Sequence, residues 1–397
     1  MRKNFYLTFC MLSKFCDHSK HAELLVTYKD YIETFNSLYQ LKSENEEEIR
    51  KLYNKIKTYL IDTKYFDVAQ IITIVSKIIK YRNGYLKSYF TLFKMFYEEY
   101  HPKYIHGISQ IFDYFVYKEY GFVFNRTHMI FIKNLKFHKQ SFSLDVHEEN
   151  TIYRLIMKDD KEHFIAFTES PGFDDKQILK SELYPINRIG GYNLLELCCY
   201  HGAVNCFKFL RTKYNFPITN DCLRFSFLSG NPDILSECMK VVKPDNQCME
   251  YAIISHNIDF VCFLMSEHFI SIFVNTCCEF KNLQAFLVYL DQTNNIKETF
   301  PNSTCFNIPS LCKYLIKYDV DTEDIKESQW RKNRALYHAV EGNSIETVKF
   351  LLNQGANINK PHVGLTELHV ATINNCKEMV ELLLSHGAPI DEKIGIL

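Results

Sequence analysis

From about Glu148 onward the chain repeats one short pattern: an apolar stretch at helical spacing, a tight turn slot, and a second apolar stretch. The slots fall at 160, 202, 230, 256, 281, 307, 343 and 375, spaced 42, 28, 26, 25, 26, 36 and 32 residues apart. Around them stand Leu195-x-x-Cys198 before Gly202 and Phe207-x-Phe209-Leu210 after it. Met249-x-x-Ala252 before His256 and Val261-x-Phe263-Leu264 after it have the same form. Two short helices with two turns use about 25 residues, and such a unit cannot bury its apolar face alone. Neighbouring units must cover it, so the expected form is a stack of helical hairpins. A compact globule around a sheet is the outcome that would overturn this expectation.

Composition agrees. Only 13 Gly and 10 Pro serve 397 residues, too few for the many turns of an all-β chain. The apolar fraction of 47% supports a sizeable core. A formal net charge of −1 gives no pull toward nucleic acid or an anionic membrane. No uncharged apolar run reaches the roughly 18 residues of a bilayer span. Residues Met1 to Cys16 only mimic a secretory leader, because Thr8 and Lys14 break the apolar stretch and no small-residue cleavage site follows. The 14 cysteines form no CxxC pair and are read as reduced thiols inside the cell, in the cytoplasm. Eleven of them lie between Cys198 and Cys312. Cys198 and Cys277 hold slots where helices approach closely, and free Cys behaves there as a small hydrophobe.

The region from His21 to Asn125 reads as consecutive amphipathic helices. Leu24, Leu25, Tyr28, Tyr31, Ile32, Phe35, Leu38 and Tyr39 make one stripe. Ile49, Leu52, Tyr53, Ile56, Tyr59 and Leu60 make a second, opened by a capping box at Ser43-x-x-Glu46. Val68 to Ile79 carries a third, stopped at Asn83-Gly84; a fourth runs from Tyr89 to His101-Pro102, and a fifth from Ile108 to Gly121. Residues 126–146 show no clear period and are expected to be a connector.

The string Thr366-Glu-Leu-His-Val-Ala371, followed by Asn375, Val380, Leu383 and Gly387-Ala388, resembles the ankyrin repeat. Leu336-Tyr-His-Ala339 with Asn343, Val348 and Gly355-Ala356 is a second such copy. Asn343 and Asn375 stand where a glycine is usual, and Asn tolerates the left-handed turn. The ankyrin period of 33 leaves room for a β-hairpin finger only at the two last junctions, Gly355–Thr366 above all. The copies from Leu195 to Leu315 should have fingers short or absent, and the long first gap needs an insertion near Pro171–Gly191. The strings Tyr31-Ile-Glu-Thr-Phe-Asn-Ser-Leu-Tyr-Gln40, Tyr192 to Ala203 and Glu250 to Asp259 further resemble protist, trichomonad-type ankyrin proteins that carry a domain of unknown function. The expected fold class is all-α: an N-terminal helical domain and then an ankyrin-type solenoid. The expected divisions are an extension over 1–20, the helical domain and connector over 21–146, degenerate repeats over 147–320 and more regular repeats over 321–397.

No phosphate-binding glycine loop, zincin motif or nucleophile elbow occurs, so no catalytic, cofactor-binding or metal residue is assigned and the chain is read as no enzyme. Cys198-Cys199-x-His201 has no second pair at zinc spacing and reads as core. His369 reads as a structural partner of its own turn. The leading functional expectation is a scaffold that binds another protein on its concave face. By the ankyrin resemblance, the contacts are the two residues before each turn slot, Tyr200, His201, Leu228, Ser229, Ile254, Ser255, Glu341, Gly342, Ile373 and Asn374. Trp330, Lys332, His362 and Val363 are expected at fingers. Two alternatives stand beside it: an enzyme with a site among the aromatic N-terminal helices, and self-association through an uncapped last repeat.

Overall fold

The computed structural model describes residues 22–138, 141–185, 190–318, 325–358 and 365–391. Among these the fold is all-α with no strand; one isolated antiparallel bridge pairs Leu179 with Tyr192. The described chain divides into two compact units. The first takes Glu33–Asn54 and Ile72–Phe273; the second takes 22–32, Lys55–Ile71 and 274–391.

The N-terminal helices follow the apolar stripes: α1 (Ala22–Thr27), α2 (Lys29–Tyr39), α3 (Glu46–Ile56), α4 (Val68–Ile78), α5 (Leu86–Tyr100) and α6 (Gln110–Tyr120). The cap of α3 is Asn45 rather than Ser43, because Asn45 Oδ1 accepts from the backbone N–H groups of Glu47 and Glu48. Asp67 and Gln70 form a reciprocal capping box at the start of α4. The 126–146 connector contains a helix after all, α7 (His128–Phe137). The buried Asp113 carboxylate explains its placement: it accepts from the backbone N–H of Phe124 and Asn125, and it pairs with His128 Nδ1 at 2.9 Å.

In the first unit, inner helices α8 (Ile152–Lys158), α10 (Leu194–His201), α12 (Asn220–Ser229) and α14 (Asn246–Ile254) pack in succession. Each is followed by an outer helix: α9 (Lys161–Thr168), α11 (Val204–Lys213), α13 (Pro232–Met239) and α15 (Ile258–His268). In the second unit the inner helices are α16 (Val274–Glu279), α18 (Ile296–Ser303), α20 (Ile325–Glu341) and α22 (Glu367–Ile373). The outer ones are α17 (Leu283–Thr293), α19 (Pro309–Ile316), α21 (Ile345–Asn353) and α23 (Lys377–Ser385).

Each inner helix turns into its outer partner through one left-handed residue: Asp159, Gly202, Gly230, His256, Lys281, Asn307, Asn343 and Asn375. Neighbouring turns are laced together. Asn231 Nδ2 donates to Gly202 O, Asn307 Nδ2 to Gly342 O, and Asn374 Nδ2 to Glu341 O. The Asp159 carboxylate reaches forward and caps α11, accepting from the N–H groups of Asn205 and Cys206 at 3.0 Å each. Cys198 and Cys277 are fully buried in their small slots, where enclosure pushes both thiols up.

The insertion after α9 folds back on itself. Gly191 is left-handed, and a Cβ there would overlap Leu179 O, so only glycine permits the Leu179–Tyr192 bridge. The junction after α19 carries no finger in its described part: α20 begins at Ile325 and runs unbroken for 17 residues. The Gly355–Thr366 finger lies largely outside the described residues.

Candidate interaction surface

The inner helices of a hairpin stack end at their turns, and those ends form the surface expected to meet a partner. In the first unit the chain's own N-terminal residues cover it. Tyr200, 5% exposed, donates its hydroxyl to Lys80 O at 2.8 Å and accepts from Asn83 N–H at 3.3 Å. Its ring lies 4.9 Å from that of Tyr184 and 5.5 Å from Phe225. Leu228 and Ile254 are buried, as are Ser229 and Ser255. Lys42 Nζ sits 3.5 Å from Ser229 O, and Gln40 Nε2 donates to His256 O at 2.7 Å. Burial, with the Arg82 cation second, holds the Lys42 ammonium below the usual lysine range.

His256 shows how the cover is built. Left-handed backbone costs a non-glycine residue about 1–2 kcal/mol. Its imidazole is stacked on Tyr39 with centroids 4.0 Å apart and planes 14° apart, and Nδ1 lies 2.9 Å from Asn36 Oδ1. An aromatic pair contributes about 0.5–1.5 kcal/mol beyond its buried area, so the contact offsets the backbone strain.

His201 is enclosed differently. Tyr184 Oη lies 2.9 Å from His201 Nε2 and 2.7 Å from His147 Nε2. A tyrosine hydroxyl has one proton, so it donates to one ring and accepts from the other. Burial, then the nearby His147, pushes His201 down to about 3. Burial, then Arg154, pushes His147 down to about 4. Both rings are neutral near pH 7, and the relay is a buried polar network.

The second unit repeats the theme on different side chains. Tyr31 packs edge-on against Phe306, and Tyr28 Oη meets Ser310 Oγ at 3.0 Å. Lys281, a left-handed residue, donates to Cys305 O at 2.7 Å and places its ammonium 5.9 Å from the Phe66 ring centre. Gly342 O accepts from Gln70 Nε2, and Asn343 Nδ2 reaches Asp67 Oδ2 at 3.3 Å.

Beyond these contacts the expected residues emerge. Glu341 is exposed, its carboxylate 3.3 Å from His338 Nδ1. Ile373 is 44% exposed, and Asn374 is partly buried by its bonds to the preceding turn. Trp330 is 53% exposed, with the Arg334 guanidinium 5.7 Å from its ring centre. Trp330 and Lys332 are helical, within α20, and not on a finger. Glu327, Arg331 and their neighbours are good helix formers joined by an i,i+4 ion pair at 3.1 Å, which is why the segment extends α20. Lys332 Nζ and Gln329 Nε2 tie α20 to Gln354 O and Gly355 O at the end of α21. His362 and Val363 lie outside the described residues.

Cys198 and Cys199 are buried, and His201 is committed to Tyr184. Among the described residues no three His, Cys, Asp or Glu side chains converge to hold a metal ion. His369 bonds Thr366 Oγ1 at 2.9 Å and closes a capping box, the local role expected for it.

Residues 303–394 match the ankyrin-repeat family, in three copies. Residues 214–289 match a domain of unknown function, DUF3447. The chain thus carries a DUF3447 region followed by ankyrin repeats. That region spans the hairpins from α12 to α17, which share the hairpin and left-handed turn of the ankyrin copies. No curated protein matches the chain. Ankyrin repeats support a role in protein–protein interaction, and among the described residues no helix is long and apolar enough to cross a membrane.

Proposed function

We propose that this protein is a non-enzymatic scaffold in the cytoplasm, and that its partner is another protein met on the last repeats, around Trp330, Glu341, Ile373 and Asn374. The observation that carries this reading is the difference in exposure among the expected contact residues. Trp330 and Ile373 stand open, whereas Tyr200, Leu228, Ile254 and Ser255 are buried. Aromatic anchors such as Trp supply much of the energy at protein interfaces. The assignment to the protist, trichomonad-type group belongs to this proposal and rests on the three sequence strings that suggested it.

Proximity labelling in the native cell with the wild-type chain and with a Trp330→Ala, Ile373→Ala double variant tests the reading. The same labelled proteins from both chains, with circular dichroism unchanged, would remove it. Self-association is the second reading, favoured by Leu384 at 39% and Ile390 at 75% exposure. A monomer in sedimentation at high concentration would count against it.

A further inference from the structure

Most cysteines of the repeats are enclosed. Cys199, Cys222 and Cys238 are all buried. Cys278 and Cys305 differ: they are only partly buried, and they sit in neighbouring hairpins of the second unit. Cys278 lies on α16, and Cys305 lies in the single 3-10 turn, Thr304–Phe306, that ends the next inner helix. The two segments pack against each other.

Two contacts set their register. The Cys278 thiol donates to Asn302 O at 3.3 Å, and Lys281 Nζ donates to Cys305 O at 2.7 Å. Residues three apart on a helix share a face, so Cys278 and Lys281 together face Asn302 and Cys305. Side chains lean toward the N-terminus of their own helix, which brings the Cys305 sulfur back to the level of Cys278. The Cys305 sulfur adjoins the Cys278 thiol and, after burial, helps push it up.

We propose that Cys278 and Cys305 are a modification site: a thiol pair that a low-molecular-weight disulfide such as oxidised glutathione converts to a disulfide between the two hairpins. Burial and the adjoining sulfur hold the Cys278 thiol protonated, against the weaker pull of Lys281. In the proposed sequence Cys305 attacks first. Its thiolate displaces one glutathione from the reagent and forms a mixed disulfide. Cys278 then loses its proton to solvent, and its sulfur attacks Cys305 Sγ, expelling the second glutathione. Two protein thiols give up two hydrogens and two electrons, and one glutathione disulfide becomes two glutathione thiols. A bridge takes Cα atoms about 4.4–6.8 Å apart, so the pair qualifies only as residues on directly packed turns. The result is a covalent tie across the inner turns of the two hairpins.

The test uses the reduced full-length chain in glutathione buffers of increasing oxidised fraction, followed by alkylation and non-reducing peptide mass mapping. The expected product joins the Cys278 and Cys305 peptides, two hydrogens lighter than their sum, with a loss of two free thiols. Cys376→Ser should leave that product unchanged. Cys278→Ser should leave a glutathione adduct on Cys305, and Cys305→Ala should abolish the cross-link. Separate adducts on both residues of the wild-type chain without a cross-link would overturn the proposal. So would a cross-link that joins other cysteines while circular dichroism shows the fold intact.

Discussion

Replacing Tyr200 with Phe tests whether the inner-helix ends of the first unit are interior or surface. The ring stays, and with it the contacts to Tyr184 and Phe225. Only the hydroxyl is lost. It now donates to Lys80 O at 2.8 Å and accepts from the N–H of the buried Asn83 at 3.3 Å. Phe leaves a carbonyl and an N–H stranded where water has little access. A buried polar group without a partner costs about 1–3 kcal/mol. Two such groups, partly relieved by relaxation, give an expected loss of about 2–4 kcal/mol. A hydroxyl on an open surface would cost within about 0.5 kcal/mol. Urea unfolding of wild type and variant, followed by far-ultraviolet circular dichroism, separates the two. A variant as stable as the wild type to within about 0.5 kcal/mol would refute the burial argument for this face.

Other outcomes follow from the same geometry. Asp159→Ala removes both the cap of α11 and a side chain tolerant of left-handed backbone, and should cost about 2–3 kcal/mol in urea unfolding. Gly342→Ala places a methyl against the Asn307 carboxamide and should displace its bond to Gly342 O, lowering stability by about 1–3 kcal/mol in the same assay. His201 and His147 are held neutral when folded, with pKa values near 3 and 4 against 6.5 unfolded. The unfolded chain therefore binds protons that the folded chain refuses. Stability should fall as pH drops below 6.5 toward 4, by up to about 1.4 kcal/mol per pH unit for each ring. A His201→Phe variant whose pH profile keeps the full wild-type slope would contradict this assignment.

Much of the fold is legible in the sequence, because the repeat is a local pattern. Seven turn slots, Gly202, Gly230, His256, Lys281, Asn307, Asn343 and Asn375, are the left-handed residues themselves. The first is displaced by one: Asp159 takes the left-handed turn because Asp160 uses its carboxylate to cap α9 through His163 N–H. In the described part of the junction after α19, helix stands where a finger is expected, because spacing alone cannot tell a hairpin insertion from an extended helix start. The covering of the inner-helix ends was not legible. Asn36 and His256 are 220 residues apart, and each stripe shows which face of a helix is apolar without showing what meets it. A hint was present in two turn slots: neither His nor Lys is favoured in left-handed backbone, so His256 and Lys281 imply side chains with a task of their own.

The account depends most on which inner-helix ends are interior. Hydroxyl-radical footprinting of the full chain, read by mass spectrometry at single residues, measures this directly. Trp330 and Ile373 should label readily, while Tyr200, Leu228 and Ile254 should be protected to near the level of core Phe225. Labelling of Tyr200 as fast as that of Trp330 would contradict the account.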